Sequence, residues 1–162
     1  MGDTTLSRIR TRLDELGIVL PPPMDTSKLP FDLTRIEGDR VLLSGHVPFD
    51  SDGRLLQPLG KVGAEVTQEE AARAARHVAL GLMASLEQAL GDLDRVRGWL
   101  RLFGMVNVAP DFVATTPVIN GASEVILEVF GPEVGRHTRS AIGVAALPFG
   151  VPVEIEAEVV IR

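Results

Sequence analysis

Residues 152–159 read Pro152-Val153-Glu154-Ile155-Glu156-Ala157-Glu158-Val159. Side chains alternate across a strand with a period of two, so Val153, Ile155, Ala157 and Val159 share one face and Glu154, Glu156 and Glu158 the other. A strand written this way has a core side and an acidic side, and it implies a sheet packed on one face only. Just upstream, Ser140 to Leu147 reads as an adjacent strand, joined to the first by the turn Pro148-Phe149-Gly150. Arg139 directly precedes that strand, so the expected hairpin sets a guanidinium near a strand end beside the acidic ladder. This is the candidate site: an arginine placed to hold an anion, with a carboxylate base of the ladder next to it.

The rest of the chain supplies the layer that covers the apolar face. Thr67-Gln68-Glu69-Glu70 matches a capping box, and Ala71, Ala75, Val78, Leu82, Leu86 and Ala89 keep one apolar stripe, which predicts a helix to about Leu90 that stops at Gly91. Val96 to Val108 reads as a strand with Leu100, Leu102, Met105 and Val106 inside. A second long helix is expected from Thr116 as N-cap and Pro117 at the first helical position to Phe130-Gly131. Phe31–Ile36 and Arg40–Ser44 flank Glu37-Gly38-Asp39 and predict a hairpin. Near the N-terminus, Leu6, Ile9, Leu13 and Leu16 have the spacing of a short amphipathic docking helix over Thr5 to Leu16. Pro21-Pro22-Pro23 then forces a stiff extended connector.

The resulting order is helix, two strands, helix, strand, helix, two strands. It predicts an α+β, two-layer fold in which two long helices cover one face of a mixed sheet. The acidic and arginine-bearing face left open is expected to be covered by other copies of the chain.

Composition narrows the chemistry. At 162 residues the chain fits one domain able to bury about two thirds of its unfolded surface. There are no cysteines, which excludes thiol nucleophiles, disulfides and thiolate metal sites. The net charge of -6 gives little attraction for phosphate backbones, so nucleic acid is a poor expected partner. No apolar run reaches the length of a membrane span and the N-terminus lacks a signal-peptide layout, so a cytoplasmic protein is expected. His46, His77 and His137 are far apart and carry no metal-ligand spacing. Ser44 lacks the glycine two places before it that a nucleophile elbow needs, and Gly60-Lys61-Val62-Gly63 is not a phosphate loop, so neither covalent catalysis nor a cofactor is expected.

Four motifs in order, Leu43-Ser44-Gly45-His46-Val47-Pro48, Asn120-Gly121-Ala122-Ser123, Gly135-Arg136-His137-Thr138-Arg139-Ser140 and Val153-Glu154-Ile155-Glu156-Ala157, resemble the RidA family, also called YjgF or L-PSP endoribonuclease-like, in its longer subgroup. The resemblance covers roughly Phe31 to Arg162. It divides the chain into an N-terminal helix and proline-rich connector, 1–30, and a RidA-like domain, 31–162. It implies a chorismate-mutase-like fold assembled as a homotrimer with the sheets facing inward and ligand clefts between neighbouring subunits. The implied activity is hydrolysis of reactive enamine or imine acids to 2-keto acids and ammonia, without cofactor or metal.

By motif position, Arg139 resembles the family arginine that holds the substrate carboxylate, and Glu154 the acid that positions or activates water. Ser44 and Asn120 resemble polar lining residues. Deaminating members carry a tyrosine thirteen residues before the Ser-Gly motif, where this chain has Phe31, and a cysteine two residues after the arginine, where it has Ala141. The partner expected from this resemblance is a small carboxylate metabolite. A trimer that binds such a molecule without turning it over is the alternative, and an endoribonuclease the least favoured reading.

Overall fold

The computed structural model describes residues 7–162, so the first two positions of the expected N-terminal helix, Thr5 and Leu6, lie outside the described residues. Among them are three helices, α1 (Arg8–Glu15), α2 (Gln68–Leu90) and α3 (Thr115–Val134). Five strands, β1 (Thr34–Glu37), β2 (Arg40–His46), β3 (Val96–Asn107), β4 (Thr138–Val144) and β5 (Val153–Ile161), form one sheet in the order β1-β2-β5-β3-β4. β5 runs antiparallel to both of its neighbours, β2 and β3, while β4 lies parallel to β3 at the sheet edge. The α+β, chorismate-mutase-like architecture is thus as expected, with α2 and α3 packed on one face.

One expected pairing does not form. β4 and β5 are consecutive in sequence, yet β3 lies between them. The inward residues of β5, Val153, Ile155, Ala157, Val159 and Ile161, are all buried, so this strand needs neighbours on both sides. The corresponding positions of β4 are Arg139, Ala141 and Gly143, polar or small, which suits an edge. α3 provides the long crossover that a parallel β3–β4 pair requires.

α2 begins with the expected capping box: the Thr67 Oγ1 accepts from the Glu70 N–H at 3.1 Å, and Glu70 Oε2 accepts from the Thr67 N–H at 2.8 Å. It ends on Gly91 in the left-handed region, φ 76°. α3 departs from the expected start. Ala114 occupies the N-cap with no side-chain bond, and the Thr115 hydroxyl instead donates to the Ala141 carbonyl at 3.0 Å, tying the helix start to β4. Gly131, at φ 80° and ψ 172°, breaks α3 where its end was expected, and one further turn follows. α2 and α3 cross at Gly121, where any Cβ would collide with the Ala72 carbonyl.

β3 also corrects an expectation. Its register slips between Trp99, opposite Val159, and Arg101, opposite Glu158, so Leu100 falls in a bulge and is 39% exposed. The slip puts Trp99, Leu102 and Val106 in the core and turns Met105 to the open face. Trp99 meets Phe130 of α3 edge-on at 5.5 Å between ring centroids.

α1 joins the same core through Ile9 and Leu13. Its start is held from across the chain: the carboxylate of Asp94 accepts from the N–H groups of Arg8 at 2.7 Å and Ile9 at 2.8 Å. Partial burial pushes the Asp94 pKa up, but those two bonds, together with the Ser7 side chain and the charge of Arg8, outweigh it and hold the group below its ordinary value. Asp94→Ala should therefore lower unfolding stability by about 1–2 kcal/mol, as loss of a helix cap does. In wild type this contribution is present above the ordinary carboxylate pKa and lost as the pH falls below about 3.8, whereas the Asp94→Ala denaturation midpoint should lack that acid limb.

Candidate functional site

Arg139 pairs in register with Leu102, so its side chain leaves the sheet on the helix side rather than on the acidic side. There it meets one face of α3, since Thr116, Asn120 and Ser123 recur at the spacing of successive turns. Nη1 donates to Ser123 Oγ at 2.8 Å, and Nη2 donates to Asn120 Oδ1 at 2.6 Å and to the Thr116 carbonyl at 3.2 Å. Three of the five N–H donors of a guanidinium are thereby used. No carboxylate pairs with it among the described residues. Burial pulls its pKa down and Glu124 acts against that, but an arginine remains charged.

The acids lie on the other face. Glu158 pairs with Arg40, and Glu156 lies 4.0 Å from Arg101, whose guanidinium also sits 5.5 Å over the Phe103 ring. Glu154 has no hydrogen bond or ion pair among the described residues, and burial, reinforced by Glu156, raises its pKa above the ordinary carboxylate value. Its carboxylate occupies the space over Gly45, where a Cβ would collide with Oε1. Ser44 and Gly45 form a bulge in β2 between the pairs Leu43–Ala157 and His46–Ile155. The bulge is pinned on both sides. The Ser44 hydroxyl donates to the Asp32 carbonyl at 2.6 Å, and His46 Nδ1 donates to the Ser44 carbonyl at 2.6 Å while its Nε2 meets Ser85 Oγ of α2 at 2.7 Å. Beside it a groove of about 590 Å³ is lined by Phe31, Ser44, Arg35, Arg101, Glu156 and Glu158. Phe31 is 51% exposed.

The sequence-derived residues therefore fall into two groups. Arg139 touches Asn120; Phe31 and Ser44 share the groove, with Glu154 reached through Gly45 next to Ser44. The groups lie on opposite faces of the sheet, and β3 separates the strands of Arg139 and Glu154. The arginine and acid expected side by side within the chain do not meet there, because β4 is not the neighbour of β5. Sequence reasoning also missed Thr116, Ser123 and His137 around Arg139, and His46 behind Ser44. A signal existed for Thr116 and Ser123, whose spacing from Asn120 places them on one helix face, and for His137, two residues before Arg139 on an extended segment.

A five-stranded mixed sheet under two helices, with an arginine–asparagine cluster on one side and a serine–glycine bulge under an acid on the other, defines the class, and comparison with known proteins assigns the family. Residues 11–153 match the family model described as "YjgF/chorismate mutase-like, putative endoribonuclease". Protein TCP17 of Trypanosoma cruzi is 41% identical over 157 residues, 97% of this chain and 96% of that protein. The crystal structure of Atu1372 from Agrobacterium tumefaciens superposes with a TM-score of 0.87 at 39% identity, covering 96% of this chain and 93% of that one. A Shewanella oneidensis structure titled a "putative endoribonuclease" gives 0.88 at 30% identity over 94% and 99%. The chain belongs to the YjgF/RidA family. No helix among the described residues is long and apolar enough to cross a membrane.

Two expectations test this geometry. Gly45→Ala should force the Glu154 side chain outward from its Cγ to its carboxylate, at a cost to folding of about 1 kcal/mol, since a flexible side chain and not backbone must move. Its NMR-monitored titration should then shift down toward 4.5 as the group regains water. Burial is the main cause that lowers the pKa of His46, His77 and His137, so the unfolded chain binds more protons in the window below 6.5. Glu154 contributes with the opposite sign, one group against three histidines, of which His46 is only 6% exposed. The thermal midpoint should be flat above about pH 7 and fall as the pH drops below 6.5.

Proposed function

We propose that the protein is a RidA-like hydrolase that acts on a small imine or enamine carboxylate, giving a 2-keto acid and ammonia, in clefts between the copies of a homotrimer. The observation that carries this reading is Arg139, a guanidinium preorganised by three neutral acceptors and lacking a carboxylate partner among the described residues. It supplies charge-assisted bonds worth about 1.5–3 kcal/mol each to a substrate carboxylate. The opposite faces of Arg139 and Glu154 require that one copy contribute the arginine and its neighbour the acid.

In this reading Glu154 takes a proton from water as the oxygen adds to the C=N carbon, forming a carbinolamine. With the substrate as the protonated imine this leaves a neutral amine; Glu154 returns the proton to that nitrogen and then takes the hydroxyl proton as the C–N bond breaks, so ammonia leaves, the ketone forms and Glu154 releases its proton to solvent. The chemistry uses only water. A base works best with its pKa near the working pH, and burial moves Glu154 in that direction. A second reading, a trimer that binds carboxylates without turnover, is supported by Phe31, which lines the groove and has no hydroxyl to donate.

The test follows loss of 2-iminobutyrate generated enzymatically in the assay. Wild type should accelerate its loss, with kcat/KM rising with pH through an inflection above 4.5 as Glu154 ionises. Arg139→Ala should raise KM, and Glu154→Gln should lower kcat by about 10²–10⁴-fold. Co-assembly of the two variants should restore part of the activity, because a mixed trimer contains sites with both wild-type residues. No acceleration, with carboxylates still raising the thermal midpoint, selects the second reading; no acceleration and no midpoint shift rejects both.

A further inference from the structure

His137 has no part in the chemistry proposed for this site, yet both of its ring nitrogens are engaged beside Arg139. Nδ1 lies 2.7 Å from the Gly135 carbonyl, and Nε2 lies 2.9 Å from Ser123 Oγ. A carbonyl can only accept, so Nδ1 carries a proton; burial, with Arg139 and Arg136 nearby, keeps the ring neutral, which leaves a lone pair on Nε2. The Ser123 hydroxyl must therefore donate to Nε2. With its hydrogen committed there, its oxygen is turned as an acceptor toward Arg139 Nη1, 2.8 Å away. The polarity of the whole chain, from the Gly135 carbonyl to the guanidinium, follows from a single proton position.

We propose that His137 is a positioning residue for the carboxylate-binding arginine, acting through Ser123 to hold the Arg139 guanidinium in its binding orientation. This inference rests on the reading of Arg139 as the carboxylate site. The alternative that His137 suppresses is specific: a serine inside a helix tends to donate back to the carbonyl four residues earlier, here that of Ile119. With the hydrogen turned that way, the Ser123 oxygen no longer has a fixed lone pair aimed at Nη1. Asn120 and Thr116 still hold Nη2, so the guanidinium keeps one anchor and gains freedom to rotate about it. Orientation is what aims the remaining Nε and Nη1 hydrogens of the guanidinium at a carboxylate.

The experiment measures binding of 2-ketobutyrate by calorimetry, together with KM and kcat for the imine, in wild type, His137→Ala, His137→Gln, Ser123→Ala and the double variant His137→Ala/Ser123→Ala. We expect His137→Ala and Ser123→Ala each to weaken binding roughly tenfold, the worth of one hydrogen bond. The double variant should be no weaker than either single one, because both break the same relay. KM should rise more than kcat falls, and His137→Gln, whose amide oxygen can accept from Ser123, should recover part of the loss. Long-range 1H–15N correlation spectra of wild type, which need no ligand, should show His137 protonated on Nδ1. Binding by wild type that is unchanged in His137→Ala, additive losses in the double variant, or an Nε2-protonated His137 would each overturn the relay while leaving Arg139 as the carboxylate site. Failure of wild type to bind 2-ketobutyrate, with turnover also absent, would overturn the carboxylate reading itself.

Discussion

The sheet depends on the alternation of β5. This strand lies between β2 and β3, and every second residue from Val153 to Ile161 is buried against the helices. A shift of one residue would bring three glutamates into that core, a cost no fold of this size sustains, so register with both neighbours is fixed. The same register aligns Glu158 with Leu42 and Arg101, Glu156 with Phe103, and Glu154 with Met105. Arginines on flanking strands pair with Glu158 and Glu156. Glu154 is left against Met105 and the Gly45 backbone, and for that reason it is the acid with the raised pKa.

The alternation that gives Glu154 its character also separates it from Arg139. Two strand spacings divide β5 from β4, about 10 Å, and the side chains leave on opposite faces. Within one chain the arginine therefore does not lower the pKa of the acid. In the proposed shared cleft it would, but a bound substrate carboxylate occupies the guanidinium and screens that charge from Glu154. Substrate binding would then restore the desolvated environment that favours a proton acceptor, so the base is strongest when it is needed.

The layer architecture was legible because it rests on local patterns: the capping box at Thr67, the two-residue period of Val153 to Val159, and the helix-breaking Gly131 each determine their own structure. Strand order was not, because adjacency in sequence suggested a β4–β5 hairpin through Pro148-Phe149-Gly150. The competing fact is long-range: β5 is apolar enough to need two partners, and β4 is polar enough to stand at an edge. The inward side of β3 was misassigned at Leu100 and Met105 because a bulge changes the period locally and leaves no mark in composition. Arg139, Asn120, Ser44 and Glu154 stood out by motif, whereas Ser123 and His137 acquire meaning only once α3 is docked on the sheet and brings them to the arginine.

The two groups of site residues are built with the same device. His46 donates from Nδ1 to the carbonyl two residues before it and meets a serine of α2 with Nε2; His137 does the same with Gly135 and a serine of α3. In each case a neutral imidazole ties an extended segment of the sheet to the helix above it, and burial keeps it neutral. The Ser44–Gly45 bulge under Glu154 and the segment leading to Arg139 are thus each registered against the helical layer, not against each other. The site proposed across copies of the chain would demand this arrangement: its two halves must hold their geometry before they meet, since no contact among the described residues aligns them.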